Sequence, residues 1–288
     1  MQEITTLPKL PVRSAEGHKG DFGRICIVAG SIGFSGAAAI SAKSALRSGA
    51  GLVRAAIPKS VLPVVASIEP CFTTIPLAED TSGRISVKAR SAVLRVAGEN
   101  DVVAFGPGVG VSQGIGKVLE SLLRIDGLRL LIDADGLNNL AKLSGWPVFS
   151  KSRLILTPHP GEMKRVWNSL LREPMPAERV DQAAKLSLKS KAVVVLKGHK
   201  TVVCDGERFY VNPTGNPGMA TAGAGDVLTG IIAALAGQGL DDFDASVLGV
   251  YLHGLSGDLA AKKIGQMSLI ATDIIDFLCD AFVSVSNS

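Results

Sequence analysis

Cysteine is scarce in this chain. Only four of 288 residues are Cys, and Cys26, Cys71, Cys204 and Cys279 include no Cys-x-x-Cys pair. That is too sparse for a disulfide scaffold. Three of the four sit in apolar surroundings, which predicts buried, reduced thiols in a cytoplasmic protein. Aromatic residues make up 5% and charged residues 19%. The 30 Lys and Arg exceed the 26 Asp and Glu by only four, and they are scattered. With few aromatic platforms and no basic stripe, a nucleic-acid partner is not expected. No apolar run, Gly230–Gly239 included, approaches the roughly 20 residues of a membrane span. Met1-Gln2-Glu3-Ile4 has no basic stretch leading into an apolar core, so no signal peptide is expected. Missing too are heptads, a Gly-X-Y period, a Gly-x-x-x-x-Gly-Lys-Ser/Thr loop, a Gly-x-Ser-x-Gly elbow and any Cys/His cluster. These absences speak against a coiled coil, a collagen, a P-loop NTPase, a serine hydrolase and a zinc site.

Apolar residues are plentiful, at 47% with a mean hydropathy of +0.31, enough to offset the entropy of ordering a chain this long. Short apolar runs are predicted as strands at 24–29, 52–57, 101–105, 129–133, 153–157 and 192–197. Helical patterns separate them at 37–48, 86–97, 114–124 and 177–190. Buried runs without alternation, spaced by helices, indicate a mostly parallel sheet covered on both faces, the α/β class. Residues 201–204 and 208–211 flank Asp205-Gly206, a hairpin turn. After a Gly- and Pro-rich loop the chain reads as helix at 226–236, 245–262 and 272–283. No linker or composition break divides residues 1–288, which predicts one domain. Ligands of such sheets bind beyond the carboxyl ends of the strands. Most of the unusual loops fall at those ends.

The strongest of these loops is Asn216-Pro217-Gly218-Met219-Ala220-Thr221-Ala222-Gly223-Ala224-Gly225-Asp226. Small residues admit an anion close to backbone N–H groups, and the helix behind aims its positive end at the loop. Asp226 falls in the first helical turn, where its charged form should be favoured and could accept a hydroxyl proton; the plainer alternative is a helix cap. Gly106-Pro107-Gly108-Val109-Gly110 imitates a dinucleotide fingerprint, but Gln113 stands where its third Gly belongs. Asp133 and Asp135 end a buried strand, where they could orient Mg²⁺ or cap a helix. His159 is held between Pro158 and Pro160, and Glu162 follows where a helix would begin. Lys197-Gly198-His199-Lys200-Thr201 could cradle a phosphate or form a basic turn. His18 to Gly23 reads equally as site or entry turn, and His253 as a packed helix residue.

These segments together resemble the ADP/ATP-dependent NAD(P)H-hydrate dehydratases, relatives of the ribokinase superfamily. The matching blocks are residues 18–24, 35–38, 46–53, 106–110, 133–138, 158–162 and 216–226. Ala224 departs from the family's usual Thr or Ser, and Gly136 stands where Ala is frequent. The resemblance implies a ribokinase-like three-layer α/β/α sandwich. It implies phosphorylation of the C6 hydroxyl of the (S)-form of hydrated NADH or NADPH (NADHX, NADPHX) by ADP or ATP with Mg²⁺, followed by loss of phosphate. Asp226 would be the catalytic base. Ala37, Gly108, Gly110, His159 and Asp226 would touch the hydrate. Lys197, Gly198, His199, Lys200, Thr201, Gly223 and Gly225 would hold the nucleotide. It also implies a homotetramer, and, as the dehydratase blocks begin so early, a chain without the epimerase domain that could act beside a separate NAD(P)H-hydrate epimerase. Two other readings share Asp226 or the loops: a vitamin-precursor kinase that stops at the phosphate ester, and a nucleotide sensor with no need of a base.

Overall fold

A computed structural model describes residues 1–171 and 173–286. The described residues contain one ten-stranded sheet. Its strands are β1 Gln2–Glu3, β2 Arg24–Val28, β3 Leu52–Pro58, β4 Thr73–Leu77, β5 Val102–Phe105, β6 Arg129–Ile132, β7 Arg153–Leu156, β8 Val193–Leu196, β9 Val202–Cys204 and β10 Arg208–Val211. They lie in the order β1-β10-β9-β8-β7-β6-β5-β2-β3-β4. From β4 to β8 every pair is parallel; β9 is antiparallel to both β8 and β10. The parallel sheet and the hairpin at Asp205-Gly206 are therefore both present. Asp205 shapes that turn, its carboxylate accepting from the N–H groups of Glu207 at 3.0 Å and Arg208 at 2.7 Å.

The helices are α1 Ser35–Arg47, α2 Leu62–Ile68, α3 Arg90–Ala97, α4 Gln113–Leu123, α5 Asp135–Leu140, α6 Trp146–Phe149, α7 Pro160–Leu170, α8 Arg179–Ser190, α9 Ala224–Gly237, α10 Asp242–Ile264, α11 Ala271–Asp276 and α12 Leu278–Ser286. Local chemistry sets several ends. Ser112 caps α4 by accepting from Ile115 N–H, and Asp241 caps α10 by accepting from Asp244 N–H. Lys262 and Lys263 close the last turn of α10, where cations suit the helix dipole. β4 carries Pro76, which only an edge strand tolerates and which hid this strand from the sequence pattern.

Alternation along each strand feeds two cores. Ile25 and Ile27 of β2 join a cluster with Ala39 of α1, Ile231 of α9, Leu248 of α10 and Ile274 of α11. Cys26 and Val28 face the other way, toward Val93 of α3, Leu119 of α4, Met163 of α7 and Leu186 of α8. Large side chains such as Trp167 and Phe105 are fully buried, each contributing roughly 1.5–3 kcal/mol. Helices α1 and α9 meet at backbone distance. A Cβ on Gly230 would lie 1.9 Å from Ser44 Oγ and 2.2 Å from Ser41 O, so only Gly fits. Ser44 Oγ–H instead donates to Val227 O at 3.0 Å. This contact fixes the helix that begins at the Gly-rich loop.

Candidate functional site

Because β2 and β5 to β8 are parallel, their carboxyl ends share one edge. The chain runs outward from β2 through β3 to β4, and in the opposite direction from β5 to β8. The crevice therefore opens between β2 and β5. There Gly30 N–H donates to Pro107 O at 2.8 Å, and Ser31 Oγ–H to Gly108 O at 2.7 Å. Gly108 takes φ +64°, and a Cβ there would press on Phe34 and Ala37. These contacts form the floor of a cleft of about 440 Å³ lined by Gly33, Phe34, Ala37, Gly108, Asp135 and Asp226.

A second cleft, of about 630 Å³, lies on the β8 side of α9. Its wall includes His159, Lys197 through Thr201, Gly225 and His253. The first turn of α9 divides the two clefts: Gly223 and Asp226 face the smaller, Ala224 and Gly225 the larger. Gly223 is the helix cap at φ +88°, a conformation that suits glycine. A helix start leaves its first N–H groups free for an anion.

Buried charges crowd this junction. Lys197 Nζ lies 2.5 Å from Asp133 Oδ1 and 3.9 Å from Glu162 Oε2. Thr229, one turn along α9 from Asp226, donates its hydroxyl to Asp133 Oδ2 at 2.7 Å. Asp133 and Glu162 are buried. Burial alone would lower the Lys197 pKa, but Asp133 and Glu162 outweigh it and raise it, so the ammonium stays charged. Burial pushes Glu162 up to about 6. Asp226 is pushed up to about 7, by burial first and by the charge of Asp133 second. No hydrogen bond or ion pair holds its carboxylate among the described residues. The sequence reading expected the helix start to favour the charged form. In the folded chain desolvation and neighbouring carboxylates overcome that dipole, leaving Asp226 poised near neutrality, as suits a general base.

Ala37 and Gly108 line the smaller cleft. Gly110 lines neither; its N–H donates to Asp135 Oδ2 at 2.9 Å, and its carbonyl accepts from Asn139. His159 stands on the wall of the larger cleft beside Lys197, not in the smaller one. It caps α7: Gly161 N–H donates to its Nδ1 at 2.9 Å, and Glu162 accepts from its backbone N–H at 2.8 Å. Burial and the nearby Lys197 lower its pKa, so the ring is neutral. Gly198 to Thr201 form the turn between β8 and β9, closed by Thr201 Oγ1–H to Gly198 O at 2.9 Å. His18 lies away from both clefts, paired to Asp21 at 2.6 Å. Asp133 is committed to Lys197 and Thr229, and Asp135 to Gly110 and Asn138.

Three contributors, Thr229, Arg179 and Asp258, went unread in the sequence, and a fourth, His253, was read only as a packed helix residue. Thr229 three residues after Asp226 was the one available signal, since that spacing shares a helix face. Arg179 donates to Leu196 O and His199 O, bracing the Lys197 turn from α8. Asp258 accepts from Gly215 N–H and Asn216 Nδ2, anchoring the Gly-rich loop from α10. His253 donates to Ala224 O, the contact across which α10 reaches the α9 start. Each meets its partner only through long-range packing.

The mostly parallel sheet with helices on both faces is the fold of the ribokinase-like α/β class. The ribokinase of Thermotoga maritima shares the fold at a TM-score of 0.54 and 16% identity. More specifically, the chain belongs to the NAD(P)H-hydrate dehydratase family, whose profile matches residues 25–279. A bifunctional NAD(P)H-hydrate repair enzyme of Moorella thermoacetica is 44% identical over 94% of this chain and 51% of its own length. The Escherichia coli counterpart is 37% identical over 93% and 49%. The chain thus spans about half the length of the curated relatives it matches. The Bacillus subtilis ADP/ATP-dependent NAD(P)H-hydrate dehydratase, co-crystallized with ATP and Mg²⁺, superposes at a TM-score of 0.81 with 28% identity. It covers 96% of this chain and 95% of that one. No described helix is long and apolar enough to cross a membrane.

Proposed function

We propose that this chain restores hydrated NADH or NADPH by nucleotide-dependent dehydration. The observation that carries the reading is the placement of Asp226, which faces the smaller cleft from the helix turn that separates it from the larger, with its pKa pushed up to about 7 by burial. The larger cleft would take ADP or ATP, its phosphates reaching the α9 start and Lys197. The smaller would take the hydrated nicotinamide. Asp226 then accepts the C6 hydroxyl proton as that oxygen attacks the terminal phosphorus, and the nucleotide leaves one phosphate shorter. Lys197 and the first N–H groups of α9 offset the charge on the transferred group. The ring-nitrogen lone pair expels the phosphate from C6, and loss of a C5 proton restores the C5–C6 double bond.

The described residues offer no group of three or more His, Cys, Asp or Glu that could cage a metal. They fit Mg²⁺ only as an ion carried by the phosphates, whose charge it would neutralise. A homotetramer, a cytoplasmic site of action and service to an NAD(P)H-hydrate epimerase belong to the same proposal. The relatives named bifunctional are about twice this chain's length.

The test is an incubation with NADH hydrate, Mg²⁺ and ADP or ATP in turn. Recovery of dihydronicotinamide absorbance with matching phosphate release is expected. A stable phosphorylated alcohol without free phosphate would show a kinase instead, and no turnover from nucleotide-bound protein would sink the reading.

A further inference from the structure

His253 sits on α10 and lines the larger cleft. Its Nε2 is 2.9 Å from the carbonyl oxygen of Ala224, the first residue of α9. A carbonyl can only accept, so the proton resides on Nε2 and Nδ1 carries a lone pair. Among the described residues nothing donates to Nδ1. Nor is it among the sealed, unpartnered polar atoms of the chain. Burial, only partly offset by the Ala224 bond, brings the ring down to about 4, so the acceptor persists at neutral pH. The cations on this cleft, Lys197 and Lys200, suit phosphates. Near His253 the wall is Ala224, Leu228, Val250 and Gly254, with Asn212 and Thr214 hydrogen-bonded to α10 beside them, an uncharged lining that suits the nucleoside part of a nucleotide.

We propose that His253 is a nucleotide-selecting residue, its Nδ1 accepting a hydrogen bond from the nucleoside portion of the bound nucleotide. Two donors share that chemistry, a ribose hydroxyl and the exocyclic amine of adenine. The contact would also tie nucleotide occupancy to the start of α9, because one imidazole would bridge the nucleoside and the carbonyl of Ala224. It rests on the reading that the larger cleft takes the nucleotide.

Two substitutions separate the roles of the ring. His253→Gln keeps a donor that reaches Ala224 O but offers no acceptor at the place of Nδ1. His253→Asn keeps an acceptor there and gives up the bond to Ala224. Calorimetric titration of each folded protein with ATP, 2′-deoxy-ATP, 3′-deoxy-ATP and ITP, with steady-state kinetics beside it, reads the contact. His253→Gln is expected to bind ATP about tenfold more weakly and to raise its KM alike, with kcat and the hydrate KM little changed. His253→Asn should bind ATP more tightly than His253→Gln. One analogue should lose affinity for wild type but not for His253→Gln, and it names the donor: a deoxy form for ribose, ITP for the amine. Wild-type affinity for all four nucleotides in His253→Gln would overturn the inference, as would equal loss with every analogue in both proteins. Failure of wild type to bind any adenine nucleotide would instead refute the functional reading beneath it.

Discussion

Lys197 and Asp133 form an ion pair 2.5 Å long at the carboxyl ends of β8 and β6, closed off by the Thr229 hydroxyl on the other carboxylate oxygen. The pair explains how an ammonium is kept charged in a buried place. Both oxygens of Asp133 are thereby engaged, one by Lys197 and one by Thr229.

Thr229→Val keeps the shape of the side chain and removes that donor. The buried carboxylate loses a charge-assisted hydrogen bond, which should cost about 1.5–3 kcal/mol of stability. Thr229→Ser should recover most of it. Denaturant unfolding of both variants checks the order. Turnover in Thr229→Val should fall more than nucleotide affinity, because Lys197 loses its fixed position at the transferred phosphate.

Asp226→Asn removes the proposed base and keeps its size. Turnover of NADH hydrate should fall by a factor of about 10²–10⁴, while nucleotide affinity measured by calorimetry changes little. Near-normal turnover would show that another group takes the proton.

Asp226 must be ionised to act, and burial sets its pKa near 7. Below that value kcat/KM should fall about tenfold per pH unit, and above it level off. A pH–rate profile on the free enzyme reads this directly. A profile flat from pH 5.5 to 8, with the chemical step limiting, would contradict it.

The same shift has a stability consequence. In the unfolded chain Asp226 ionises near 3.8, so between there and about 7 the native state holds a proton that the unfolded state has lost. Stability therefore falls as pH rises through that window, and at pH 8 the buried charge is carried in full. Asp226→Asn should be more stable than wild type by an amount on the order of 2–4 kcal/mol at pH 8, with the difference vanishing below about pH 4. Unfolding midpoints at the two pH values decide it.

Gly230→Ala places a methyl group into Ser44 Oγ and Ser41 O at the α1–α9 contact. Both helices must separate, so destabilisation of about 1–3 kcal/mol is expected, with reduced activity in the fraction that folds. Gly239→Ala, where a Cβ meets nothing within 4 Å but φ is +105°, is the control for strain without collision.

The sheet was legible because its strands are short, uniformly apolar and spaced by helical periodicity. Such runs, spaced by helices, fit the interior of a sheet covered on both faces. The Gly-rich run ending at Asp226 was legible because its composition leaves room for an anion before a helix start. Strand β4 was not, since Pro76 breaks the pattern that an edge position tolerates. The charge state of Asp226 ran opposite to expectation. A helix dipole is local and can be read from position, whereas desolvation and the Asp133 charge arrive from β6 and the core. For the same reason Arg179, Asp258 and His253 looked like ordinary helix residues until α8 and α10 were packed against the loops they hold.

The order of apolar and small residues along the chain thus determined the layers and the carboxyl-edge location of the loops, while the motif blocks carried the resemblance to the family. Only tertiary packing decided that Asp133 serves Lys197, that α9 divides two clefts, and that burial raises the pKa of a carboxylate at its start to about 7. Periodicity is a property of neighbours in sequence; burial and Coulomb interactions belong to neighbours in space.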